Sequence, residues 1–163
     1  MSLDRLWAAW RSDYVGASGD VAAGESGDCV LCRVVAEDSH VVWRGALVAV
    51  VLNAYPYTTG HVMALPQRHQ SELEELDPEE AAELWTATAD AVRAVKGAYR
   101  PHGLNVGANL GRAGGAGVPG HLHLHVVPRW DGDTNFMTTV AETRVLPESL
   151  DATFDRLRRA WPT

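Results

Sequence analysis

Apolar positions in this chain follow two periods. "HVVWRGALVAVVL", residues 40–52, is apolar in two short runs broken at Arg44 and Gly45, which predicts two strands joined by a turn. "NAYPYTTG" interrupts the pattern with Pro56 and Gly60, and "HVMALP", residues 61–66, predicts a third strand closed by Pro66. Three such strands in succession are most simply a meander. The period then lengthens. In "LDPEEAAELWTATADAVRAVKGAYRPHG", Leu84, Trp85, Thr88, Ala91, Val92, Val95 and Tyr99 share one face of a helix over 78–100, a face expected to cover the sheet. Asp77 suits its N-cap, Pro78 its first turn and Glu80 the third position of a capping box, while Pro101 and Gly103 end it. Strands are predicted again at 104–111 and 121–129, separated by the glycine-rich "RAGGAGVPG". A last helix is expected from Pro147 to Trp161, and "CVLCRVVAEDS" predicts a short helical turn beginning past an Asp28 cap. Ahead of it, residues 3–15 have the spacing of a short amphipathic helix and 16–28 the glycine and serine content of a flexible loop. The whole is α+β, an antiparallel sheet of about five strands with one long helix packed on it.

Size and charge narrow the function. At 163 residues one domain with a real core is expected. The net charge of -7, from 21 acidic and 14 basic residues, argues against a nucleic-acid partner and against an anionic membrane surface. A small anionic substrate remains open to a locally positive site. No apolar run approaches the roughly 18 residues of a membrane span, so a cytoplasmic protein is expected. Two cysteines, Cys29 and Cys32, are too few for a disulfide framework.

The most specific chemistry lies in "GHLHLHVVPRW". On a strand His121, His123 and His125 share one face and Leu122, Leu124 and Val126 the other, so the leucine face goes to the core and the histidine face becomes a site. One metal cannot take all three, because at about 3.3 Å per residue the first and third lie about 13 Å apart. Division of labour remains: a central neutral imidazole attacks, and its neighbours orient it. Upstream, "NLGRAGGAG" can bring backbone N–H groups, those of Gly115 and Gly117 among them, close to phosphate oxygens.

His121-Leu-His123-Leu-His125-Val-Val resembles the H-x-H-x-H-x-x signature of the histidine-triad, or HIT, superfamily of nucleotide hydrolases and nucleotidyl transferases, over about residues 29–137. "LNAYPYTTGHVMALPQRH", "NVGANLG" and "VPRWDGDTNFM" are more similar to the branch that cleaves dinucleoside polyphosphates, including diadenosine tetraphosphate phosphorylases, than to the nucleoside-phosphoramidase branch. The resemblance implies a HIT-like catalytic domain over 28–163 with a C-terminal helical tail, preceded at 1–27 by the helix and loop. It implies that His123 takes the α-phosphoryl group as a nucleotidyl-histidine, supported by His125 and His61. Asn53 falls at the family's ribose contact and Asn109 at its phosphate contact. Water as acceptor gives a hydrolase releasing AMP; inorganic phosphate gives a phosphorylase releasing ADP, the direction in which the resemblance points. "GGAGVPG" lacks the serine, threonine or glutamine that many members carry near the leaving group. Arg112 and Arg129 are candidates to offset charge there. Rival readings are a zinc-dependent hydrolase using two triad histidines and a noncatalytic nucleotide-binding module.

Cys29-x-x-Cys32 taken alone fits a redox pair, two inert thiols or half of a structural zinc site. Zinc needs two further ligands, for which the chain offers His69 and His121, with His40 as an alternative third; His102 is expected to be a helix-end residue. Zinc-containing relatives resemble this Cys2His2 pattern. The family also pairs as homodimers, and the tryptophans near the ends, Trp7, Trp10, Trp130 and Trp161, are compatible with an interface.

Overall fold

The computed structural model describes residues 29–133 and 147–162; the expected N-terminal helix, the 16–28 loop, Asp28, Trp7 and Trp10 lie outside them. Helix α1 spans Val30–Ala36, strands β1 and β2 Val41–Arg44 and Val48–Leu52, and β3 Val62–Pro66. Helix α2 spans Pro78–Tyr99, β4 and β5 Gly103–Ala108 and Leu124–Arg129, and α3 Leu150–Arg159. The strands form a single antiparallel sheet in the order β1-β2-β3-β5-β4. The first three are the expected meander. β5 then enters between β3 and β4, which places the histidine strand in the interior of the sheet.

Both faces of the sheet are covered, which is why β2 and β3 are continuous apolar runs rather than alternating ones. Val48, Val50, Leu52, Val62, Ala64, Leu124 and Val126 pack under α2. Ala49, Val51, Met63 and Leu65 face the other way, against Leu31 and Val35 of α1. Cys29 is itself the N-cap residue of α1, so the helix starts one step later than expected and carries its cysteines at the first turn.

Helix α2 has the expected capping box at Asp77 and Glu80 with Pro78 in its first turn. Its buried arc includes Leu84, Ala87, Thr88, Ala91, Ala94 and Val95. Trp85 departs from the expected face and is 68% exposed. The alanines at 87, 91 and 94 let the helix lie close to the sheet, so the contact arc is narrow and a bulky side chain one position past Leu84 falls outside it. Thr88 is tolerated in the arc because its hydroxyl donates to the Leu84 carbonyl at 2.7 Å.

At the C-terminus Ser149 caps α3, accepting from Ala152 N–H at 3.3 Å. Glu148 gathers the Tyr99 hydroxyl at 2.6 Å and the Arg156 guanidinium at 2.8 and 3.0 Å, tying α3 to α2. Trp161 stacks on Trp43 at 5.7 Å between centroids and 14° between planes. It is therefore an internal packing residue and not part of a free tryptophan-rich end. Among the described residues no helix is long and apolar enough to cross a membrane.

Glu80 also receives two bonds from Arg68, both 2.7 Å, which anchors the segment after β3 to the start of α2. Those bonds hold the buried Glu80 carboxyl below its ordinary range. A depressed carboxyl contributes stability above the unfolded pKa near 4.3 and loses it as pH falls through the lower folded value. Glu80→Gln is expected to destabilise the protein by about 1–3 kcal/mol at pH 7. In urea unfolding, its difference from wild type should shrink towards pH 3.

Candidate active site and metal centre

The β3–β5 ladder runs Val62 to Val126, Met63 to His125 and Ala64 to Leu124. Upstream of Leu124 the chain leaves the ladder, so β5 is shorter than the expected 121–129 strand. Other partners take over: Leu122 N–H donates to the Gln70 carbonyl at 2.6 Å and His121 N–H to Val118 at 3.3 Å. The alternation of faces survives the departure. Leu122, Leu124 and Val126 all join the core under α2, while the histidines point to the opposite side.

Each triad histidine has a different hydrogen-bond commitment, and a carbonyl partner fixes which ring nitrogen carries hydrogen. His123 Nδ1 lies 2.7 Å from the carbonyl oxygen of His121, an acceptor only, so Nδ1 carries the hydrogen and the neutral ring keeps its unshared pair on Nε2. His121 Nε2 lies 2.9 Å from the Pro66 carbonyl, so its unshared pair is on Nδ1. His125 Nδ1 lies 2.9 Å from His61 Nε2, and His61 Nδ1 accepts from the backbone N–H of Tyr57 at 3.1 Å. Hydrogen therefore sits on His61 Nε2, and His125 carries its own on Nε2. The rings of His123 and His125 meet edge to face at 4.9 Å. His123 is only 5% exposed, so bulk water has little access to the ring. Burial, with His123 as a further cause, pushes the half-buried His125 down to about 4.

Asn53 stands beside His61, its side-chain nitrogen 3.3 Å from Nδ1 and its oxygen accepting from Tyr55 N–H at 2.9 Å. Asn109 donates to the Gly115 carbonyl at 3.2 Å and braces the glycine loop. Gly111 and Gly115 have φ of 66° and 90°, which explains glycine at both. The N–H groups of Gly115 and Ala116 are committed to Arg112 and Gly111 carbonyls at 2.9 and 3.3 Å, so the loop is a hydrogen-bonded turn more than an open row of donors. Gly117 has open space where a side chain would stand. Arg129 is held by Asp133, at 2.6 and 2.8 Å, and by Asn105 at 2.8 Å, which neutralises it as an offset for phosphate charge.

A second cluster lies beside the first. Cys29, Cys32, His69 and His121 present ligand atoms that all lie within 4.8 Å of one another, a set that can hold a metal ion. Three of the separations, Cys29 and Cys32 to His121 and Cys32 to His69, are 3.4 Å. Bonds of about 2.0–2.3 Å put tetrahedral zinc ligands about 3.3–3.8 Å apart, so these three separations match that ion. The Pro66 carbonyl is the outer partner that turns the bare nitrogen of His121 toward the thiols. In the metal-free chain burial and the neighbouring Cys29 push the Cys32 thiol up to about 11. His40 is not part of this set: it pairs with Asp151 at 3.1 Å and packs on Phe154, because the backbone at His40 has φ of 54° and turns away before β1. His102, past the end of α2, pairs with Asp131 at 3.0 Å.

Residues 35–132 match the HIT domain family, more than half of the chain. The chain belongs to the HIT domain family. It is 42% identical to the AP-4-A phosphorylase of Mycobacterium tuberculosis, an alignment covering 98% of this chain and 85% of that protein. It is 33% identical to the asymmetrical bis(5'-nucleosyl)-tetraphosphatase of Schizosaccharomyces pombe over 58% of this chain and 52% of that protein. A Zn-bound histidine triad family protein from Mycobacterium smegmatis superposes with a TM-score of 0.66 at 30% identity, covering 83% of this chain and 94% of that one. The five-stranded sheet with its long helix is thus the HIT fold.

Two contributors to this HIT site were not visible in the sequence. The Pro66 carbonyl and the Tyr57 N–H are backbone groups; strand pairing brings the first to His121, and the closed loop before β3 brings the second to His61. The electrostatics give a direct expectation. His125 should titrate near 4, well below the ordinary value of about 6.5. Its ring-proton NMR shift should stay flat from pH 8 to about pH 5.

Proposed function

We propose that this HIT-family enzyme transfers a nucleotidyl group from a dinucleoside polyphosphate such as diadenosine tetraphosphate, through a covalent intermediate on His123. The observation that carries the reading is the 2.7 Å bond from His123 Nδ1 to the His121 carbonyl, which leaves the unshared pair on Nε2. That nitrogen attacks the α-phosphorus, forming a P–N bond as the P–O bond to the leaving polyphosphate breaks in line. His125, neutral and carrying hydrogen on Nε2, donates to the oxygen that gains charge, and His61 holds it. A second acceptor then takes the nucleotidyl group and returns His123 to its starting state. Asn53 would contact the ribose, and Asn109 with Gly115 and Gly117 would shape the phosphate side. The higher identity to the M. tuberculosis phosphorylase, 42% against 33% for the S. pombe tetraphosphatase, favours inorganic phosphate over water as acceptor.

In the same reading Cys29, Cys32, His69 and His121 hold a structural zinc ion. Four protein donors fill a tetrahedral shell, which favours bracing over a catalytic metal hydrolase. When bound, the ion would tie the first turn of α1 and the segment after β3 to His121. Residues 28–163 would be the catalytic unit and 1–27 an appendage. A cytoplasmic setting would keep both thiols reduced for the ion.

A homodimer would form along β4, the edge strand of the sheet, where Trp85, Val92 and Val106 line an apolar cleft of about 430 Å3 between α2 and β4. Of the tryptophans near the ends, Trp161 is taken up by packing on Trp43, while Trp7 and Trp10 lie outside the described residues.

Incubation with labelled diadenosine tetraphosphate, followed by denaturation in alkali, should leave label on wild type and none on His123→Ala. The variant should lose about 10^3-fold or more in turnover. Phosphate in the assay should change the mononucleotide product from AMP to ADP. Zinc added to the metal-free protein should release about two protons per ion, because both thiols must ionise. A pH-indicator dye measures this, and Cys32→Ser should reduce both the proton release and the affinity.

A further inference from the structure

We propose that Tyr57 is a positioning residue of this site, whose backbone N–H selects the tautomer of His61 and whose ring shields the His61–His125 pair, so that His125 presents a donor to substrate. The inference deepens the nucleotidyl-transfer reading and rests on it for its catalytic consequence, though not for the tautomers themselves.

The backbone around Tyr57 has little freedom. Thr58 hydroxyl donates to the Pro128 carbonyl at 2.7 Å, which pins the loop to β5. His61 N–H returns to the Thr58 carbonyl at 3.2 Å, and Asn53 N–H reaches the His61 carbonyl at 3.1 Å, closing the loop at its base. Gly60, with φ of 86°, lies against the Tyr99 ring so closely that a Cβ would come within 2.9 Å of it. The Tyr57 N–H is therefore held where it is.

His61 is fully buried and has no bulk water to repair a mismatched nitrogen. Its Nδ1 faces the Tyr57 N–H at 3.1 Å and the Asn53 side-chain NH2 at 3.3 Å. The Asn53 oxygen is committed to Tyr55 N–H, so the group facing His61 is the donor end of the amide. The Asn53 NH2 lies almost as close to Nε2, at 3.4 Å, so the Tyr57 N–H is the donor that excludes hydrogen from Nδ1. Hydrogen goes to Nε2 and is donated to His125 Nδ1 at 2.9 Å. In the opposite tautomer, N–H would face N–H at Tyr57, and His125 would have to carry hydrogen on Nδ1. The bare Nε2 it then offered would repel a phosphate oxygen. One backbone amide thus decides, two rings away, whether the site gives or withholds a hydrogen bond.

The side chain adds a cover. Its ring lies 4.7 Å from His61 at 39° and 5.9 Å from His125 at 32°. It is 45% exposed, so it forms the boundary between the two imidazoles and solvent. Removing it would let water compete for the bond between them.

The test uses the full chain with 15N-labelled histidine, without substrate. Wild type at pH 7 should show His61 and His125 both carrying hydrogen on Nε2; hydrogen on Nδ1 of either would overturn the proposal. Tyr57→Ala keeps the N–H, so it should keep the tautomers, lose about tenfold in kcat and exchange the ring N–H of His125 with water at least about tenfold faster. Tyr57→Phe should recover most of that kcat. A Tyr57→Ala enzyme within twofold of wild type in both readouts would remove the covering role. Tyr57→Pro, which deletes the N–H, should give mixed tautomers; if it does not fold, the wild-type spectra and Tyr57→Ala still decide. Wild type inert toward diadenosine tetraphosphate would sink the proposed function, and the spectra would still decide the tautomer claim.

Discussion

The bond from the His123 ring to the carbonyl of His121 organises both halves of the site. It joins residues two apart on one strand, and such residues ordinarily have no hydrogen-bond contact through their side chains. The chain can make it because residues 121–123 have left the β-ladder, which frees the His121 carbonyl from a strand partner. The same residue turns its ring the other way, to the thiols of Cys29 and Cys32. His121 therefore serves the His123 ring with its backbone and the Cys29–Cys32–His69 cluster with its side chain. A displacement on one side is felt on the other.

Around that residue, backbone groups do most of the orienting. Pro66 supplies a carbonyl to His121, His121 supplies one to His123, and Tyr57 supplies an N–H to His61. Backbone groups within a packed sheet move little, and they cannot change protonation as a side-chain partner can. The imidazoles are thereby held in defined tautomers in a region where their charged forms are disfavoured by burial, as at His121 and His125. Neutral rings with assigned hydrogens suit nucleophilic transfer better than a cluster sharing protons with solvent.

The scaffold secures those backbone positions from three directions. α2 covers one face of the sheet with a narrow arc of small residues, α1 covers the other and brings the cysteines, and the Arg68–Glu80 pair fastens the chain after β3 to the start of α2. Where the expected and observed contacts part, the cause is which face each residue meets. Trp85, one position past Leu84, falls outside the buried arc of α2, and Trp161 finds Trp43 once α3 folds back over β1.

Much of the fold was legible because its signals are local. Pro78 and the Asp77–Glu80 box mark the start of α2, Pro66 ends β3, and the histidine–leucine alternation assigns opposite faces whatever the partner strand. The Cys2His2 set was open to view only as residue types, since Cys29 and His121 are 92 positions apart and nothing in their spacing says they meet. The start of β5 at Leu124 and the exclusion of His40 each depend on which group arrives from elsewhere in the chain. The sequence by itself determined the elements, the faces and the kinds of reactive group. Tertiary structure decided which nitrogen of His121 and of His125 carries hydrogen, because that depends on the Pro66 carbonyl and the His61 ring, 55 and 64 positions away, which only the folded sheet brings within about 3 Å.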